Sequence, residues 1–227
     1  MRAACRYPEG GAPVSAPDLQ QGVEGYATLV RRYHRTLDLV SDAGLRELPR
    51  HIADGQRYAR LIERVAGPSA TVVDVGSGVG LPGVVIALAL PRAQVFLVER
   101  RRRRTAFLEL AAAQLGLANV TVVGDDVRAV EGVCADVVTA QAVADLATIV
   151  ELTRHLHADP CYVLSRRAEG GPGSLAAVWR AGGLVGDGQT GAEGLPAGAE
   201  VLEEPLEPRG SLVAVRLPGG SACQSSA

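Results

Sequence analysis

The chain has 227 residues, 47% of them hydrophobic and 21% charged, a balance that fits one globular core with a small appended element and excludes a disordered chain. No apolar run reaches the roughly 18 residues needed to span a bilayer, and the first residues lack the apolar stretch of a signal peptide, so no membrane partner and a cytoplasmic location are expected. A net charge of −2 gives no overall basic field, so any contact with nucleic acid must come from a local cluster among the 23 basic residues, all of them arginine.

Residues 1–17, rich in Gly, Pro and Ala, are expected to form a loose tail. Leu19, Val23, Tyr26, Leu29, Val30, Tyr33 and Leu37 then recur at three- and four-residue intervals, the mark of a helix with one buried stripe, and Ser15 with Asp18 resembles a helix-start box. A second helix is predicted over 50–65, stopping before Gly67-Pro68. These helices make an N-terminal segment over 18–66, and a second unit is expected over 67–217, with a short tail over 218–227.

From Thr71 the period changes. Thr71-Val72-Val73-Asp74-Val75 is a β-branched run ending in a glycine-rich turn, as a buried parallel strand requires. Strand and helix then alternate: helix 81–90, strand 94–99, helix 102–115, strand 120–123, strand 136–140, helix 143–156 and strand 161–165. A glycine-rich loop over 168–173 and a helix over 174–180 follow, then two strands, 199–203 and 211–216, forming an antiparallel edge hairpin. The right-handed crossover rule makes this a doubly wound α/β sheet, mostly parallel, with helices on both faces.

The chemistry centres on Asp74-Val75-Gly76-Ser77-Gly78-Val79-Gly80-Leu81-Pro82-Gly83, between the first strand and its crossover helix. Gly76, Gly78 and Gly80 let the backbone approach a ligand closely, and the following helix offers free N–H groups. The dinucleotide fingerprint wants its third glycine at position 81, where Leu81 stands, so the spacing argues against NAD and for S-adenosyl-L-methionine. Glu99, ending the second strand, is placed to accept from both ribose hydroxyls. The candidate cofactor-binding residues here are Gly76, Ser77, Gly78, Gly80, Leu81 and Glu99. Cys5, Cys134, Cys161 and Cys223 lie far apart without a CxxC pair, and no histidine pair has ligand spacing, so neither a metal site nor a disulfide framework is expected.

On these motifs the sequence resembles the RsmG (GidB) family, class I Rossmann-like methyltransferases that use S-adenosylmethionine to methylate N7 of a guanine in 16S ribosomal RNA. The likeness rests on the glycine loop with its Leu81-Pro82-Gly83, on Glu99 followed by Arg103-Arg104 and Phe107-Leu108, and on Arg50-His51-Ile52-Ala53-Asp54 with Tyr33 to Ser41 upstream. The family's Gly-Arg-Ala-Glu is here Gly124-Asp125-Asp126-Val127-Arg128, its Arg-Ala is Gln141-Ala142, and a lysine after the fifth strand is Arg166. The resemblance implies that Gly76 and Leu81 touch the cofactor, that Val127 and Arg128 border its adenine, and that Gln141 meets it in place of an arginine. Asp126 is a second adenine candidate, because a carboxylate accepts from the exocyclic amine.

The consecutive arginines Arg100-Arg101-Arg102-Arg103-Arg104 stand where a helix begins, against the helix dipole, and a phosphate backbone offsets their repulsion. Small-subunit ribosomal RNA is the expected partner, acted on by a monomer. Guanine N7 supplies its own lone pair, so no general base is required and no catalytic dyad is expected. Asp54 is a candidate for stabilising the cationic product base. Two other readings stay open at this point: a methyltransferase with another acceptor, and a catalytically weakened RNA-binding homologue, the latter motivated by Asp126 and Gln141.

Overall fold

The computed structural model describes residues 15–141, 144–167, 198–206 and 210–217; the expected tails, the glycine-rich loop over 168–173 and the helix over 174–180 lie outside the described residues, apart from 15–17. Helix α1 (Ala16–Tyr33) starts at Ser15, whose Oγ accepts the Asp18 N–H at 3.3 Å and donates to the Asp18 carboxylate at 2.5 Å, the box expected from sequence. Helix α2 (Asp42–Ala66) begins well before the predicted residue 50: Ser41 caps it, and Pro49 sits inside it. Proline removes one ladder bond and disfavours the helical conformation just before it, which is why the sequence pattern breaks there. Burial of Leu48, Ile52, Tyr58, Leu61 and Ile62 carries the helix through.

Seven strands follow: β1 (Thr71–Val75), β2 (Gln94–Val98), β3 (Val120–Val123), β4 (Ala135–Ala140), β5 (His157–Arg167), β6 (Glu200–Pro205) and β7 (Ser211–Leu217). They form one sheet in the order β3-β2-β1-β4-β5-β7-β6, parallel through β5, with β7 antiparallel to both its neighbours. Helices α3 (Gly83–Ala89), α4 (Arg102–Gln114) and α5 (Leu146–Thr153) are the crossovers. Sequence placed the strands within a residue or two, except that β5 begins at His157; the register breaks between Ala135 and Val137, and regular pairing resumes at Val137–Tyr162, just past Pro160. Helix α3 begins at Gly83 rather than 81, and α5 at Leu146, capped by Asp145.

The strands are apolar on both sides because both sides are covered. Val72, Val95, Leu97 and Val137 pack with α1 through α4, while their chain neighbours Val73, Val98 and Val138 pack with α5 on the opposite face. Strand β1 pairs with β2 on one side and β4 on the other, so successive crossovers leave β1 in opposite directions and open a crevice at its carboxyl end. Helix α2 reaches that crevice by resting on α3, where a Cβ at Gly55 would stand 2.9 Å from Val85 Cβ.

Among the described residues Cys161 is a free, buried thiol. No helix among the described residues is long and apolar enough to cross a membrane.

Candidate cofactor and acceptor site

The chain leaves β1 through backbone conformations that side chains rarely adopt, with φ +66° at Gly76 and +59° at Gly78. The turn is fixed from several sides. Ser77 N–H donates to Val98 O at 3.0 Å, Ser77 Oγ to Asp74 O at 2.8 Å, and Gly80 N–H to Ser77 O at 2.7 Å. From above, the Tyr26 hydroxyl of α1 donates to Val79 O at 2.9 Å. Below the turn Asp74 is fully buried, and that burial pushes its carboxyl up to about 6, although it accepts from Thr139 Oγ1 at 2.7 Å and from Gly83 N–H at 3.3 Å.

Glu99 meets this turn directly. Its Oε2 accepts the Gly78 N–H at 3.0 Å and its Oε1 the Arg101 N–H at 2.8 Å, while Arg104 Nη1 stands 3.9 Å away. Glu99 is only 5% exposed, its carboxylate is oriented by backbone N–H groups on both oxygens, and each oxygen retains further acceptor capacity. The glycine bend and the acid of the neighbouring strand therefore share one pocket, a cavity of about 760 Å³ at the carboxyl ends of the parallel strands.

Gly76, Ser77, Gly78, Leu81, Glu99, Asp126, Val127, Arg128 and Gln141 all line that cavity. Gly80 does not: a Cβ there would meet Val84 Cγ2 at 2.6 Å, so its place is beneath the loop, where α3 packs. Asp126 caps the short 3-10 turn Val127–Ala129, its Oδ1 accepting the Arg128 N–H at 3.0 Å, with Val127 turned inward and buried. Asp54 stands behind the wall rather than in it: its side chain is 2% exposed, Arg57 Nη1 donates to Oδ1 at 3.4 Å, and Arg166 Nε lies 3.2 Å from Oδ2, close enough for an ion pair but without the alignment of a hydrogen bond.

Sequence reasoning left out the far wall. Gly44, Leu48 and His51 of α2 line the cavity, as does Arg166 at the end of β5. Their spacing of four and three puts the α2 residues on one helical face, but a stripe facing a cavity has the same period as one facing a core. His51 is half-buried there, and burial together with the Arg50 charge lowers its pKa, keeping the ring neutral near pH 7.

The family model described as "GidB: rRNA small subunit methyltransferase G" matches residues 19–170. A Neisseria gonorrhoeae protein named ribosomal RNA small subunit methyltransferase G is 36% identical over 160 residues, covering 67% of this chain and 74% of its own. Its namesake from Halorhodospira halophila is 36% identical over 157 residues, covering 69% and 72%. Among solved structures, a mutant of MtNAS in complex with S-adenosylmethionine aligns at TM-score 0.56 and 19% identity, over 88% of this chain and 78% of its own. Cofactor-bound Rv0187 aligns at TM-score 0.56 and 15% identity, over 91% and 92%; both likenesses establish the Rossmann-like fold. With its glycine loop, neighbouring acid and matched length, the chain belongs to the GidB family of rRNA small subunit methyltransferases.

Proposed function

We propose that the protein methylates N7 of a guanine in 16S ribosomal RNA of the small subunit, acting as a cytoplasmic monomer with S-adenosylmethionine as donor. The observation that carries this reading is the joint cradle of Gly78 and Glu99 at the wall of a 760 Å³ cavity. A nucleoside fits it: the carboxylate is buried, prearranged and left with acceptor capacity for a ribose diol, and the loop beside it lacks side chains at Gly76 and Gly78. Val127 and Asp126 would border the adenine, and Gln141 and Leu81 the remainder.

When bound, S-adenosylmethionine supplies an electrophilic methyl group on a sulfonium. Glu99 and the glycine loop orient the ligand, and Leu39 and Leu48 exclude water from the cavity. No residue of the chain needs to take a proton, because guanine N7 attacks with its own lone pair. Alignment then supplies the acceleration, up to roughly 7–11 kcal/mol in well-oriented systems. Around the mouth, Arg100, Arg101, Arg102 and Arg103 are exposed at the start of α4, whose N-terminal dipole they oppose. RNA phosphates relieve that repulsion.

Radiolabelled methyl transfer onto undermethylated small ribosomal subunits, with the product nucleoside identified, tests donor and acceptor together. Label recovered as 7-methylguanosine is expected; label in another nucleoside, or no transfer despite measurable cofactor binding, would overturn the reading.

A further inference from the structure

Three residues of α2 stand on the cavity wall. Gly44 and Leu48 offer it no polar side-chain atom, and His51, one turn beyond Leu48, offers an imidazole. The His51 Nδ1 is buried and has no hydrogen-bond partner among the described residues, which engage its Nε2 in no hydrogen bond or ion pair either. Nε2 is therefore the ring nitrogen left to meet a ligand.

The protonation state of the ring decides what it can offer. Burial, then the charges of Arg50 and Arg166, work against the imidazolium, and Asp54 and Glu47 favour it without prevailing, so the ring is neutral near pH 7 and carries a single N–H. An N–H at buried Nδ1 would have no acceptor, and in protein interiors an orphaned donor is rarer than an orphaned acceptor. The proton accordingly belongs on Nε2, and α2 presents the cavity with one uncharged donor beside the apolar Leu48.

A cofactor held by Glu99 at the β1–β2 end leaves the α2 side to the acceptor, since the two reactants must share one water-excluded space. Guanine and adenine differ beside N7: guanine presents the six-position carbonyl oxygen, an acceptor, and adenine an amino group, a donor. We propose that His51 Nε2–H donates to the six-position oxygen of the target guanine, thereby selecting guanine over adenine and turning N7 toward the methyl group. This assignment rests on the methyl-transfer reading above and names the residue that chooses its base.

A neutral donor suits the electron flow. In the transfer the N7 lone pair forms the new N–CH3 bond, the S–CH3 electron pair remains on sulfur, no proton moves, and the positive charge passes from sulfur to the base. A protonated imidazole beside N7 would repel that arriving charge, and an uncharged one does not. The same charge makes the six-position oxygen a weaker acceptor, so the bond from His51 is strongest before transfer. Its effect is selection and alignment rather than stabilisation of the transition state.

The test uses small subunits carrying guanosine or 6-thioguanosine at the methylated position, a replacement that exchanges a strong acceptor oxygen for a poor one. Single-turnover transfer rates and calorimetric cofactor affinity are measured for the wild type and for His51→Phe, which keeps a ring on the wall and removes both nitrogens. His51→Phe is expected to slow transfer to guanosine by about tenfold with cofactor affinity unchanged. The wild type should also slow on 6-thioguanosine by about tenfold more than the variant does, a coupling that a merely structural role would not produce. Should the larger ring prevent folding, His51→Ala cannot overpack the wall, and the same two outcomes are expected of it. Wild-type rates in the folded variant, an equal loss of cofactor affinity, or identical 6-thioguanosine effects in both proteins would overturn the proposal alone. Absence of any transfer by the wild type would instead sink the functional reading, and this proposal with it.

Discussion

At the β1–β2 end of the cavity the wall is mostly backbone: Ser77 and Gly78 N–H groups are spoken for by Val98 and Glu99, and every participant falls within residues 74–101. At the β4–β5 end the wall is side chains, with His51 and Leu48 from α2 and Arg166 from β5 brought together across more than half the sequence and braced by a buried carboxylate. The first end can be built by a local turn, whereas the second exists only once the tertiary fold has assembled it.

The sharpest way to break the first region is to crowd it. Gly83→Ala places a Cβ 2.6 Å from Asp74 Oδ2 and against Leu97, so α3 must lift off the sheet. Denaturant melts should show a loss of about 3 kcal/mol, and unchanged stability would refute the close-packing account.

Asp74 separates the two regions by pH. Its carboxyl, raised from 3.8 to about 6 by burial, binds a proton more tightly in the folded chain than in the unfolded one. Its contribution is therefore most favourable below about pH 4 and declines as pH climbs through about 6, by on the order of 3 kcal/mol in all. Asp74→Asn should remove that slope, so unfolding midpoints of wild type and variant, followed from about pH 4 to 7, should diverge in the variant's favour as pH rises.

Glu99→Ala leaves the Gly78 and Arg101 N–H groups without their acceptor and takes away the oxygens proposed to hold the ribose. Calorimetry should record a roughly ten- to hundredfold weaker affinity for S-adenosylmethionine. The same titration on Arg166→Met should give the wild-type value, which is the contrast between the two ends expressed as a measurement.

The mildest effect is expected outside both regions. Arg102 and Arg103 are exposed and absent from the cavity wall, so replacing each by alanine should leave cofactor affinity alone. The log–log dependence of RNA affinity on salt should flatten by roughly 0.7–0.9 for each arginine that meets a phosphate. An unchanged slope would return the run to the status of a solvated surface.

The contrast also explains what could be read in advance. Strands β1 and β3 were legible to the residue because β-branched runs bounded by turn residues have few other uses, and the meeting of the glycine turn with Glu99 followed from strand order. The start of α2 was not, since Pro49 reads as a boundary while the burial that overrides it is tertiary. Nor was the difference between Gly78, which stands at the cavity, and Gly80, which lies under it, because both have positive φ and only the neighbours distinguish them. Arg166 looked like a conservative stand-in for lysine; its pairing with a residue on α2 has no trace in local sequence.

The hydroxyl of Tyr26 on the carbonyl of Val79 ties the appended helices to the loop proposed to hold the cofactor. A chain trimmed to begin at β1 would keep the strands and the acid yet lose both the brace on the loop and the α2 face of the cavity. On the proposed reading, affinity for the methyl donor should therefore report whether α1 and α2 are in place.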